Sequence, residues 1–396
     1  MLNRIISINM IKQIYVFLAL LIFSSVISAT EITVAGFAFA GDYLSAASRF
    51  PYTYKLFQKA KDANKANGSL SYQIINRTKS ISNSEFTLMP LDVQANLKND
   101  QTLMTVLLLT SEVVSIENYG SYYKTFVNLR GDSLIFDYKN LTIVRSDPIS
   151  VVLFDATAEK PTEERILGFV DNLIRRDDGR GLITQFTRRL ASATIPKPGT
   201  KTVQVRKGEI STEALALLPN SLRTNPAVIE AMLSDSFASI ISSRIGIPML
   251  PNSVGHAVGG VMSMRLENGD DYKLKVGEGD YLFDLKLNKL VKLKTSENNV
   301  GTAYVYGVYI NMRFFEPTLN IDYISSDFKN GESAVVPSSQ IASDDFSGYQ
   351  DAIRGLFLKF AEATAQPGNK WIETATSNKN IEAQFESVRK IMKECK

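Results

Sequence analysis

YYKTFVNLRGDSLIFDYKNLTIVRSDPISVVLFDATAEKPTEERILGFVDNLI, residues 122–174, changes its hydrophobic period once, and that change decides the fold class. Before Pro161 the stretch reads as strands at Tyr122–Leu129, Leu134–Val144 and Ile149–Phe154, broken by residues suited to turns. After it, Pro161 stands at a helix start with Glu163 and Glu164 in the first turn, where the helix dipole favours acids. Ile166, Leu167, Phe169, Val170, Leu173 and Ile174 then recur at helical spacing. Several strands in series followed by a packing helix predict an α+β fold, a mostly antiparallel sheet against helices, and not an alternating doubly wound sheet.

Working outward, Ile32–Ala40 reads as an apolar strand, Tyr54–Ala63 as a short helix, and Leu70–Ile75 and Leu103–Val114 as strands. A helix through Ile183, Phe186 and Leu190 closes the first half. The stretch Ala193–Lys207, with two prolines, a glycine and four basic residues, reads as a linker. Beyond it, Asn225 as cap and Pro226 at the first position open a helix that stops at Gly246 and Pro248. Strands are predicted at Val258–Leu266, Tyr272–Val276, Tyr281–Leu293, Ala303–Phe315 and Leu319–Ser325, then a long helix over Asp344–Ala363. The expected organisation is a signal peptide (1–29), two tandem α+β domains (30–192 and 208–366) joined by a linker (193–207), and a tail (367–396) with a small amphipathic helix. The repeat rests on element order alone, since the halves share little residue identity.

Arg4 and Lys12 lead into the apolar run Ile14–Val26, about 13 residues long, followed by Ser28 and Ala29. That run falls short of the roughly 20 residues a spanning helix needs and has the layout of a cleavable leader, which implies export. Cys395 is the only cysteine, so no intrachain disulfide forms and the core must rest on ordinary burial, which 44% hydrophobic residues supply. A lipid-anchor cysteine near the leader is missing too. Net charge is +3, falling to +1 without Arg4 and Lys12, which gives no basis for a nucleic-acid partner.

No catalytic residues emerge. Gly131-Asp132-Ser133-Leu134 spells a serine-hydrolase block, but the only histidine, His256, lies in a glycine-rich stretch outside that family's spacing, and Gly-Asp suits a turn. Ser-x-x-Lys occurs at Ser121–Lys124 and Ser326–Lys329 without the Lys-Thr-Gly that accompanies it in penicillin-recognising enzymes. One histidine and one terminal cysteine leave no transition-metal set, and the acids Glu267–Asp271, Glu278 and Asp280 lack the order of a calcium loop. No metal or other cofactor is expected. The feature that does stand out is a basic alternation, Lys273, Lys275, Lys286, Lys289, Lys292 and Lys294, interleaved with Leu, Val and Phe. It predicts a hairpin with one apolar and one basic face, either a solvated edge-guarding surface or a contact for an anionic envelope surface or acidic partner.

Thr33-Val34-Ala35-Gly36-Phe37-Ala38-Phe39-Ala40-Gly41-Asp42 resembles the opening of the curli-secretion-channel and TolB N-terminal type of domain, and the later helix–strand order is similar to the rest of that plan. The resemblance implies a non-catalytic periplasmic assembly or scaffold protein at an outer-membrane or cell-surface structure, of the secretion or flagellar-ring accessory type, with envelope protein partners or a homo-oligomer. It carries over no functional residues. The alternatives are a carboxylate-based hydrolase of envelope polymers and a periplasmic ligand-binding protein closing over a solute between its halves.

Overall fold

The computed structural model describes residues 30–41, 43–62, 68–91, 102–252, 260–338 and 345–396. The leader at 1–29 and His256 lie outside the described residues.

The chain is α+β, with two sheets packed against helices. Its first part runs β1 (Thr30–Ala40), α1 (Tyr43–Arg49), α2 (Pro51–Asp62), α3 (Leu70–Thr78), β2 (Phe86–Pro90), β3 (Leu103–Asn118), β4 (Tyr123–Asp137), β5 (Thr142–Thr157), α4 (Glu163–Arg175) and α5 (Leu182–Ala191). Its second runs β6 (Val203–Ile210), α6 (Thr212–Ala216), α7 (Asn220–Arg223), α8 (Pro226–Ile245), β7 (Val261–Leu266), β8 (Asp271–Lys275), β9 (Tyr281–Glu297), β10 (Gly301–Glu316) and β11 (Ile321–Pro337). The helices α9 (Asp345–Ala365), α10 (Trp371–Ala375) and α11 (Ile381–Glu394) end it.

Strand pairing repeats between the two parts. In the first, β1 pairs parallel with β3, which opens the antiparallel meander β3-β4-β5; in the second, β6 pairs parallel with β9, which opens β9-β10-β11. The hairpin β7–β8 breaks the symmetry. It leaves the second part and joins the first sheet, β7 pairing with β1 at Ala38–Ala40 and β8 meeting β5 at Thr142↔Lys275. The first sheet thereby closes back on β1, whereas the second stays open in the order β11-β10-β9-β6.

Sheet membership therefore does not follow the 193–207 division. Val203–Lys207, read as linker, are already part of β6, with Val203 and Val205 in the second core. Val261–Lys275, read as part of a 208–366 unit, bury Met262, Met264, Leu266 and Leu274 in the first core. Prolines and lysines mark a surface segment but say nothing about which sheet a later hairpin will find. Phe126 of β4, in turn, belongs to the second core and meets Phe346 edge-on at 5.2 Å, so the two layers share a boundary.

Two local expectations are corrected. Leu70–Ile75 is helical, not extended: Ser69 accepts from the Tyr72 N–H as N-cap, and Leu70, Ile74 and Thr78 form one buried stripe four residues apart. Gly131-Asp132 is not a turn but the middle of β4. A Cβ on Gly131 would lie 2.5 Å from the Leu108 carbonyl oxygen, so the glycine permits close approach to β3 where its register shifts. The real turn lies at 138–141, where Asp137 accepts from the Lys139 and Asn140 N–H groups and Leu141 takes φ 54°.

The tail docks on the second core. Phe385 of α11 meets Phe360 at 5.0 Å, and Ile381, Val388, Ile391 and Met392 are buried beside it. Cys395 is fully buried, and burial, with Glu394 and Asp280 nearby, pushes its thiol up to about 12. Native protein is therefore expected to resist iodoacetamide at about pH 8, where an open thiol has a reactive thiolate fraction. Labelling should appear only on denaturation, and mass spectrometry showing rapid native alkylation would mean that the tail detaches.

Candidate functional site

The six lysines do not form one face. Lys273 and Lys275 lie on β8 in the first sheet, while Lys286, Lys289, Lys292 and Lys294 lie on β9 in the second. Within β9 a bulge at Asn288 reverses the alternation. Lys286 and Lys289 stand opposite Asn311 and Tyr309, but Lys292 and Lys294 stand opposite Tyr306 and Tyr304, on the side that carries Leu290 and the core. Three of the four are also paired: Lys289 with Glu213 at 3.5 Å, Lys292 with Asp345 at 2.7 Å, and Lys294 with Glu297 at 2.5 Å. Lys292 additionally lies 4.2 Å from the centre of the Tyr304 ring.

The other motifs also resolve into structure. Ser133 is buried in mid-strand, and Ser326 shares a 2.7 Å hydrogen bond with Thr376. Glu267 accepts from Ser69 Oγ at 2.9 Å and from the Leu70 and Ser71 N–H groups, tying the β7–β8 turn to the start of α3. Asp280 accepts from Lys201 and from Thr202, which hold its carboxyl below the ordinary range against the opposing effect of burial. Glu112 caps the start of α2 through the Tyr52 and Thr53 N–H groups, and burial nevertheless raises it. Among the described residues no three His, Cys, Asp or Glu side chains converge as a metal set.

Two features remain that no motif signalled. One is the open edge of the second sheet. β11 is 17 residues long and pairs only with β10, while the opposite edge is covered where Leu250 N–H donates to the Val203 carbonyl at 2.9 Å. Among the described residues, no backbone hydrogen bond leaves β11 on the side away from β10. Near its end the outer surface carries Leu293 and Val335, 60% and 67% exposed.

The other is a cleft of about 480 Å³ between the layers, walled by β4, β5 and α5 on one side and by α8 and α9 on the other. Asn128 of β4, Arg189 of α5, Arg244 of α8, and Asp351 and Arg354 of α9 all line it. A second cavity, about 620 Å³, lies against α2 and α3. Lys61 and Leu91, which line it, border in sequence on segments outside the described residues, and we assign it no role.

No family model and no curated protein matches the chain. Among solved structures, it matches a DUF330 protein from Xanthomonas campestris at 12% identity over 46% of this chain and 92% of that one, with a TM-score of 0.21. It matches a minor lipoprotein from Acinetobacter baumannii at 6% identity over 45% and 97%, TM-score 0.19. A neuraminyllactose-binding hemagglutinin homolog from Helicobacter pylori is similar at 12% identity over 50% and 92%, TM-score 0.23. Overlaps this low carry no functional argument. Among the described residues no helix is long and apolar enough to cross a membrane.

Proposed function

We propose that the chain is a non-catalytic protein of the cell envelope that acts as an assembly element, joining copies of itself through the open edge of its second sheet. The observation that carries this reading is β11, a long edge strand with its outer backbone groups unmatched among the described residues. Such an edge is a template for strand addition, and natural proteins shorten, cover or charge it when pairing is unwanted.

The charges on β11 favour self-pairing. An antiparallel two-fold about Phe328 sets Asp327 of one copy opposite Lys329 of the next, twice per interface, and continues the sheet across the pair. Export, read from residues 1–29, supports an envelope location, and the resemblance of Thr33–Asp42 to the curli-secretion-channel and TolB N-terminal type of domain points the same way.

Lys329→Asp is the test, because it leaves untouched the bonds that Asp327 receives from Asn288 and Asn311. Two facing pairs turned from attraction to repulsion should weaken association roughly tenfold. Light scattering should find twice the chain mass for the wild type, a single-chain mass for Lys329→Asp, and recovery of the dimer in the Asp327→Lys/Lys329→Asp swap. A wild type that stays monomeric at tens of micromolar, or a swap that restores nothing, rejects edge pairing.

A further inference from the structure

The cleft between the layers has the chemistry of a ligand site, independently of the sheet edge. Arg244 and Arg354 make no hydrogen bond and no ion pair among the described residues, and Arg189 reaches only two carbonyl oxygens, at 3.4 and 3.5 Å. Among the described residues, three guanidinium groups thus line one cleft against a single carboxylate, Asp351. That carboxylate still meets solvent; partial burial and Glu332 raise its pKa, while Arg354 and Lys124 act in the opposite direction.

Asn128 lies in the wall of the same cleft. It is 3% exposed, and its amide N–H groups donate to Ser150 Oγ at 3.2 Å and to the Val151 carbonyl at 3.3 Å. A carbonyl only accepts, so the amide orientation is set and the oxygen faces away from these partners. That Oδ1 atom is buried and has no hydrogen-bond partner. A buried unmatched acceptor is costly and rare in native proteins. Arginines carry only donors, so those on the wall need an acceptor.

The rest of the wall suits a molecule that carries hydroxyls. Ser236, Ser239 and Ser243 fall three and four residues apart on α8 and line the cleft together. Phe126 and Phe154, 5.0 Å apart, add an apolar ring surface beside them. The volume lies within the range of small-molecule sites.

We infer that this cleft binds a small hydroxylated organic anion, its acidic group held by Arg189, Arg244 and Arg354 and its hydroxyls facing Ser236, Ser239 and Ser243 of α8. The acidic group is either a carboxylate, as in a sugar acid, or a phosphate ester, as in a sugar phosphate.

Calorimetry and ligand-observed NMR on the full chain, with glucuronate, glucose 6-phosphate, glucose and inorganic phosphate as probes, test this. Glucuronate or glucose 6-phosphate should bind with a Kd below roughly 1 mM, and whichever binds identifies the head group. Glucose and inorganic phosphate should each bind at least about tenfold more weakly, because one lacks the charge and the other the sugar hydroxyls. Arg244→Ala/Arg354→Ala removes two exposed side chains with no hydrogen bonds to lose, so the fold should persist by circular dichroism while affinity drops at least about tenfold. Silence with both anionic probes, equal binding of inorganic phosphate, or unchanged affinity in the double variant would each overturn the assignment.

Discussion

Asp235→Ala should destabilise this protein by about 3 to 5 kcal/mol, well beyond the loss expected from removing any solvated surface charge. Asp235 of α8 pairs with Arg130 of β4 at 2.6 Å, and their side chains are only 14% and 3% exposed. Arg130 also donates to Ser111 Oγ. Burial lowers the guanidinium pKa, and Asp235 is the charge that opposes this. Without the carboxylate, a buried cation remains where water does not reach it. The double variant Arg130→Met/Asp235→Leu removes both charges and should regain most of the loss, because well-packed apolar groups replace a buried pair at little net cost. Urea denaturation of the wild type and the two variants checks this. A loss below about 1 kcal/mol for Asp235→Ala would mean that the pair is solvated and contributes as a surface bridge does. Because the pair joins β4 to α8, the single variant should also loosen the boundary between the layers.

Phe237→Ala is expected to cost about 3 to 5 kcal/mol through lost transfer free energy and the cavity left behind. Phe237 is fully buried, with ring contacts to Phe283 at 4.8 Å, Phe357 at 5.1 Å and Phe360 at 5.7 Å. Those rings come from β9 and α9, so truncation withdraws the residue that joins α8 to the second sheet and to its covering helix. Each aromatic pair adds about 0.5 to 1.5 kcal/mol beyond the area buried. Leu293→Ala is the matched control, since its side chain already meets solvent and its loss should stay within about 0.5 kcal/mol. Thermal melts that place the two variants together would show that the core around Phe237 repacks.

How far the fold could be read from sequence varied with the kind of signal. Helices with start signals, such as Pro161 before the strongly striped α4 and Asn225-Pro226 before α8, lie where those signals place them. Leu70–Ile75 failed because Leu70, Tyr72, Ile74 and Ile75 fit both the strand and the helix period over six residues, and the decisive feature was the Ser69 hydroxyl on the Tyr72 N–H. Gly131 failed because a glycine that permits close strand approach looks the same as one that makes a turn. The lysine alternation failed twice: Lys273 and Lys275 join a different sheet, and within β9 the bulge at Asn288 sends Lys292 and Lys294 to the face opposite Lys286 and Lys289. Bulges are set by pairing with a neighbour and leave little trace in one strand's own pattern.

The candidate sites were less legible still. Asn128, Arg189, Arg244 and Arg354 come from four elements spread over more than half of the chain, and no spacing links them. The openness of β11 depends on what does not pair with it, a property of the whole sheet.

By itself, then, the sequence determined the α+β class, the succession of strands and helices in two similar series, and the dependence on apolar burial without disulfides. These follow from local periodicity, capping and composition, which act over a few residues. Only the tertiary structure decided that β7–β8 closes the first sheet while, among the described residues, β11 pairs on one side alone, that Arg130 and Asp235 meet in the interior, and that three arginines share a cleft with Asn128. Those arrangements depend on long-range pairing and layer packing, where the partner of a residue is selected by the shape and polarity of surfaces that form only when distant segments come together.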